Sequence, residues 1–258
     1  MLLPHPPRGS LATVRHLPFA IPRGADLDDA LLRELWSFRG SILRHKPETS
    51  LDDDFARFSA RCRKSDRVLV ARHPDGRPGG MLAVARRRVE SFGRRTVGFF
   101  PEYLIVSPEL RASRLLGVAY LRLLAALLEP YDLLASWFMI GVAYPASFLA
   151  TSRLTRVWID GEPGIPAHAQ ERIDAFADEL SGTRRDPVAR RVTMPTIPGP
   201  LRERLLEAPE YQRYLARNPE WQRGFGVMIY AEGTAASVGA GLLRSLRRRA
   251  LRAASSTA

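Results

Sequence analysis

The stretch Phe99 to Leu128, FFPEYLIVSPELRASRLLGVAYLRLLAALL, constrains the fold more than any other part of this chain. It reads as a strand, a short polar loop carrying Arg111 and Arg114, and a long apolar helix that opens near Ser113. A helix starting in such a loop points unpaired N–H groups and the positive end of its dipole outward, an arrangement suited to phosphate. Ser113 to Leu128 is apolar nearly all round, so this helix must lie buried between a sheet and other elements. Leu133–Ile140 reads as the next strand, and a strand–helix–strand unit of this kind makes a parallel pair with a right-handed crossover.

Upstream, residues 1–24 are proline-rich and irregular apart from a short strand near Thr13–Leu17. Leu27, Leu31, Leu35, Phe38 and Ile42 recur at spacings of three and four, which predicts a helix over 27–43. Ser50 caps a second helix with Asp52, Asp53 and Asp54 in its first turn and a buried stripe of Leu51, Phe55, Phe58 and Cys62. Cys62 is therefore read as core packing and not as a nucleophile. Three strands follow: Arg67–Arg72, Gly80–Val89 and Thr96–Val106, turned at Pro74–Pro78 and around Gly93. They predict an antiparallel meander. Proline gives no hydrogen to a sheet ladder, so Pro101 sits at an edge or at a bulge, and the continuation of the strand past it through Glu102–Val106 favours the bulge.

Downstream, Tyr144–Ser152 reads as a short helix. A polar, proline-rich stretch over Thr155 to Pro200 contains one helix near Ala167–Leu180, closed by Gly182. Short helices are expected around Leu201–Leu206 and Pro209–Ala216, and Arg190–Met194 with Phe225–Ala231 as a late strand pair. Gly241–Ala258 has no acidic residue and sets leucines against arginines, a basic amphipathic stretch. The chain thus divides into an irregular segment 1–24, a domain over 25–232 and a basic tail over 233–258.

Of the 39 basic residues all but Lys46 and Lys64 are arginine, and the net charge is +12. An arginine-preferring GC-rich coding sequence accounts for much of this, while the charge itself favours acidic partners. The single cysteine excludes an internal disulfide and a cysteine zinc cluster. The five histidines, His5, His16, His45, His73 and His168, lack metal-ligand spacing, so no metal is expected. The N-terminal stretch lacks a signal-peptide core, and a reducing cytoplasm is the expected compartment. Leu133 to Ala150 carries no charge, but Ser136, Gly141, Pro145 and Ser147 interrupt it; a strand and a buried helix explain it better than a membrane span. No nucleophile elbow, P-loop or dinucleotide fingerprint is present.

The order of elements, together with VLVARHPDGRPGGMLAVA and EYLIVSPELRASRLLGVAYLRLL, resembles the GCN5-related N-acetyltransferase superfamily, best over 27–152. The resemblance implies an α/β fold: a mixed central sheet with an antiparallel meander and a splayed parallel strand pair, flanked by helices. In that family the helix start after the bulged strand holds the pyrophosphate of acyl-CoA. Here this implies contacts from Val106, Arg111, Ala112, Ser113, Arg114, Leu115, Leu116 and Gly117. Arg111 matches the first position of the family motif. Arg114 and Leu116 stand where glycines are expected, and Gly117 comes one residue late. Glycines admit a phosphate closely, so those two side chains either obstruct it or, through the Arg114 guanidinium, bind it.

The departure and the basic surface resemble branches that take long acyl chains from CoA or acyl carrier protein, such as autoinducer synthases and N-acyl amino acid synthases. The resemblance implies an N-acyltransferase acting on a small amine. Glu102, beside Pro101, is the implied base, with a bulge-capping glutamate as the alternative; Tyr144 is the implied acid for the leaving thiolate, with a packing tyrosine as the alternative. Trp137, Phe138 and Trp158 are acyl-pocket walls on one reading and core on the other. Two further functions are weighed. One is an interaction module that kept the fold and lost the cofactor loop. The other is a peripheral protein whose tail, 241–258, meets an anionic membrane. Nucleic-acid binding has no recognisable module.

Overall fold

A computed structural model describes residues 18–91, 94–110, 122–123, 126–127, 136–152, 155–181, 184–199, 201 and 203–233. Helix α1, Asp29–Ile42, starts where the Asp28 carboxylate accepts the Leu31 N–H at 2.7 Å. Helix α2, Leu51–Lys64, starts at Ser50, whose hydroxyl accepts the Asp53 N–H; three aspartates in its first turn and Arg61, Arg63 and Lys64 in its last follow the helix dipole. The expected stripe on α2 holds at Phe58 and Cys62, both buried. Leu51 departs from it and is 53% exposed. It is the first residue of the helix, ahead of the turn that meets α1. Asp54 is buried in that turn, because Arg39 and Trp36 Nε1 satisfy its carboxylate. Leu43–His45 leaves the helix as strand β2 and pairs with β10, Thr196–Pro198.

The main sheet is nine-stranded. Its path runs β1 (Phe19–Ala20), β3 (Arg67–Arg72), β4 (Pro78–Ser91), β5 (Arg94–Val106), β6 (Ser136–Ala143), β11 (Phe225–Gly233), β9 (Arg191–Thr193), β8 (Arg185–Asp186). Strand β7, Val157–Ile159, adds to β11 beside β9. Strands β3, β4 and β5 form the expected meander. The bulge lies where Pro101 predicts it: Ala83 pairs with Tyr103 and Val84 with Pro101, so Glu102 is the extra residue.

One inserted residue flips every later side chain to the other face of the sheet. Val97 and Phe99 accordingly pack with Leu123 and Leu127 on one face. Tyr103 and Ile105, also odd-numbered, pack against α1 and α2 on the other. Residues 122–123 and 126–127 are helical, and the rest of the expected helix over Ser113–Leu128 lies outside the described residues. So do the strand near Thr13–Leu17, Gly182 and the tail.

The described part of the run Leu133–Ala150, from Ser136 on, forms β6 and helix α3, Pro145–Ser152. No helix among the described residues is long and apolar enough to cross a membrane. Helix α4, Ala167–Ser181, covers the α1/α2 face through Ala169, Ile173, Ala177 and Leu180, which pack on Phe100, Phe138, Ile140 and Tyr230. Phe138 and Trp158 are thus core. Helices α5, Glu203–Leu206, and α6, Pro209–Arg217, lie where short helices were expected; α6 and α3 bury Tyr211, Tyr214 and Phe148 on the opposite face. The late strand pair is β9 with β11, and β11 also pairs along β6 from Trp137 to Ala143.

Candidate active site

The parallel strands β5 and β6 pair only over four rungs: Thr96 with Ser136, Val97 with Trp137, Gly98 with Phe138, and Phe99 with Met139. Both strands continue, β5 to Val106 held by β4 and β6 to Ala143 held by β11, without pairing to each other. The ladder that joins the two halves of the sheet therefore ends at Phe99 and Met139. Pro101 is wedged in the opening: a Cβ at Gly141 would stand 3.1 Å from Pro101 Cγ and 3.3 Å from its carbonyl oxygen. A proline there gives no hydrogen to a partner strand, so the parallel ladder ends at the residue that begins the bulge.

Glu102, the bulged residue, is turned toward α2 and the end of α4. Arg61 Nη1 donates to its Oε2, and Arg61 Nη2 donates to the Leu180 carbonyl at 2.9 Å. Arg184 Nη2 approaches the same carbonyl at 3.5 Å, and its Nε donates to Ser181 O at 2.9 Å. Burial lowers the Arg184 pKa, and Arg61 and Arg57 nearby lower it further. Tyr103, next along β5, packs on Phe58 at 4.9 Å between ring centres, with the Arg39 guanidinium 5.9 Å from its ring. Burial raises its phenol well above the ordinary value.

Tyr144 follows β6 directly. Its hydroxyl donates to the Thr196 carbonyl on β10, and burial raises its pKa, so the phenol stays protonated at neutral pH. Arg39 and Arg184 act electrostatically on Tyr144, and the same two act on the Tyr103–Glu102 side of the gap. Beneath them lies a buried network: Asp54 accepts from Arg39 and from Trp36 Nε1 at 2.8 Å, with His45 Nδ1 at 3.3 Å. Cys62 is buried in the same layer, and desolvation, with the Glu102 charge adding to it, pushes its thiol up to about 12.

Of the residues expected to act, Glu102 and Tyr144 flank the divergence, and Val106 ends β5 at its far side. Arg111, Ala112, Ser113, Arg114, Leu115, Leu116 and Gly117 lie outside the described residues. Arg61, Arg184 and Arg39 went unrecognised in the sequence. Arg61 meets Glu102 across 41 positions and Leu180 across 119, and among so many arginines no local pattern marks those three.

A separate cleft of about 800 Å³ opens at the start of β6, the end away from the divergence, lined by Ser136, Trp137, His168, Arg172 and Glu232 among others. Its polar groups satisfy one another: Arg172 donates to Tyr230 Oη at 2.7 Å, Tyr230 donates to Glu232 at 2.8 Å, and His168 Nε2 lies 3.0 Å from the same carboxylate.

Meander, bulged strand and a parallel partner that pairs over four rungs form the mixed α/β sheet that the resemblance to the GCN5-related N-acetyltransferases implies. No family model matches the chain, and no curated protein matches it. Among solved structures it is similar to a protein from Enterococcus faecalis titled a probable N-acyltransferase, at 14% identity and TM-score 0.37, over 50% of this chain and 30% of that one. An acyl-CoA N-acyltransferase from Pseudomonas aeruginosa is similar at 18% identity and TM-score 0.36, over 58% and 95% of the two chains. A GNAT family N-acetyltransferase from Escherichia coli, solved with CoA, is similar at 19% identity and TM-score 0.34, over 59% and 79%. The fold class rests on the strand order and the divergence, and not on these likenesses.

Proposed function

We propose that the protein is an N-acyltransferase that moves an acyl group from an acyl thioester, most simply acyl-CoA, to a small amine. The observation that carries this reading is the end of β5–β6 pairing at Phe99 and Met139 while both strands run on. Parting two parallel strands leaves backbone N–H and C=O groups directed into the gap, and these suit an extended amide-bearing arm and a polarised carbonyl. The donor supplies an activated acyl carbon on a thiolate leaving group.

The chain's own residues divide the remaining work. Glu102, at the mouth of the gap, takes a proton from the attacking amine as the new C–N bond forms. The C–S bond breaks, and Tyr144 gives its proton to the departing sulfur, turning from the Thr196 carbonyl to do so. Burial keeps the Tyr144 phenol in its protonated form. Solvent returns one proton to Tyr144 and takes one from Glu102, so the products are an amide and a free thiol. Arg111 and Arg114 are the proposed diphosphate ligands.

The test is a thermal-shift series with acetyl-CoA, a long-chain acyl-CoA and acylated carrier protein. A donor at a hundredfold excess over its Kd is expected to stabilise the protein by about 2.7 kcal/mol. No shift with any of the three overturns the reading. A shift with the carrier protein alone would move the donor from CoA to carrier.

A further inference from the structure

Cross-strand pairing aims a side chain by fixing its backbone, and Glu102 lacks that constraint. Strand β4 pairs Ala83 with Tyr103 and Val84 with Pro101 and gives Glu102 no partner. What fixes its carboxylate is Arg61. Nη1 of Arg61 donates to Glu102 Oε2, and Nη2 donates to the Leu180 carbonyl at 2.9 Å. A guanidinium is planar and rigid, so it cannot turn on one of these acceptors without leaving the other. One side chain thereby joins the last turn of α2, the end of α4 and the bulge of β5. Arg61 is 28% exposed and Glu102 15%, so the pair lies largely out of water. Among the described residues Arg61 is the one hydrogen-bond partner of that carboxylate, and the lone pairs of Oε1 are left open.

We propose that Arg61 is the positioning residue of the base: it occupies Oε2 of Glu102, so that Oε1 receives the proton of the attacking amine, and it acts on the reaction only through Glu102. This rests on the acyl-transfer reading above and adds to it which oxygen works and what aims it. Arg61 meets neither the amine nor the thioester. As the C–N bond forms, the amine proton passes to Oε1 while Oε2 keeps its bond to Arg61. A carboxylate free to swing at an unpaired bulge would be misplaced for most encounters, and a misplacement of about 1 Å costs on the order of 10²-fold in rate.

The test is a double-mutant cycle in kcat, run with the donor that shifts the melting curve and a small amine that it acylates. The native protein is compared with Arg61→Gln, Glu102→Gln and the variant carrying both. Arg61→Gln is expected to lower kcat by about 10²-fold with the donor Kd unchanged. Arg61→Lys keeps the charge and loses the planar fork, and is expected to recover part of that loss. In the Glu102→Gln background the change at Arg61 is expected to alter kcat by less than about twofold, because the group it aims is gone. Equal fold-losses in the two backgrounds, or a loss seen in the donor Kd and not in kcat, overturn the proposal and leave Arg61 as a tie between α2 and α4. Should Arg61→Gln fail to fold, Arg61→Lys runs the same cycle.

A second arm needs no turnover: crystal structures of the native protein, Arg61→Lys and Arg61→Gln. The Glu102 carboxylate is expected in one orientation in the native protein and rotated, or split between orientations, in Arg61→Gln. A carboxylate that keeps its orientation without Arg61 overturns the proposal. A carboxylate that turns away in Arg61→Gln, in a protein that acylates no amine, sustains Arg61 as the group that fixes Glu102 and sinks the acyl-transfer reading.

Discussion

Arg61 grips the carboxylate of Glu102, the residue that the β4–β5 register skips. The contact joins the C-terminal turn of α2 to the bulge of β5. It holds the one carboxylate of that strand at the point where β5 leaves β6.

Glu102→Gln keeps the shape of this side chain and removes its basicity. The expected result is a fall in kcat of about 10²- to 10⁴-fold, the usual range for a general base, with KM little changed. Steady-state kinetics with the donor that shifts the melting curve and a small amine that it acylates checks it. An unaltered kcat would reduce Glu102 to the partner of Arg61.

Asp54 carries the buried network behind the site, with Arg39 only 2% exposed. Asp54→Ala strands that guanidinium in the core. The expected loss is about 3–5 kcal/mol in urea unfolding, typical of a buried pair broken on one side. A loss under about 1 kcal/mol would mean that water reaches Arg39.

Gly98 sits on the third of the four parallel rungs, where an added Cβ would stand 2.6 Å from Phe138 Cζ and 2.9 Å from Phe100 Cε2. Both rings are buried. Gly98→Ala is expected to cost about 1–3 kcal/mol by overpacking. Donor affinity is expected to fall with it, because these rungs set where the strands part. Equilibrium unfolding and donor titration on one variant measure both.

The Cys62 thiol is buried and raised to about 12. At pH 8 the folded protein is expected to resist iodoacetamide, and to react once denaturant exposes the thiol. Mass spectrometry of the alkylated protein reads the outcome. Rapid labelling of the native form would contradict the packing described for α2.

Arg72 binds both oxygens of Glu34 at 2.7 Å and holds its carboxyl below the ordinary value of 4.5. Because the folded pKa is the lower one, the stabilisation is complete above the unfolded value and is lost as pH falls through the folded value. The stability gap between the native protein and Glu34→Gln is therefore expected to be largest near neutral pH. It should shrink below about pH 4.5. Chemical unfolding across that range checks the sign.

Much of the frame was legible because its signals are local. Ser50 with three aspartates marks the start of α2, RVLVAR marks β3, and Pro101 marks the bulge; each depends on bonding within a few residues. Leu51 misled because periodicity reports a face of the helix and not where along its length the neighbouring helix begins. Strands β2, β7, β8 and β10 escaped notice because two or three residues carry no period, and they become strands only when β11, β9 or each other supply the pairing.

The sequence by itself determined the meander, the bulge and the candidate carboxylate, since a missing N–H at Pro101 and alternating apolar residues act on the backbone wherever the chain lies. Only the tertiary structure decided that β5 and β6 part at Phe99 and Met139, that β11 holds the far side of the opening, and that Arg61 and Arg184 converge there. Those contacts join residues as far apart as 119 positions. Which of many arginines loses its water and meets a carbonyl is set by how α2 and α4 close over the sheet, a property of the packed layers that no short stretch of sequence encodes.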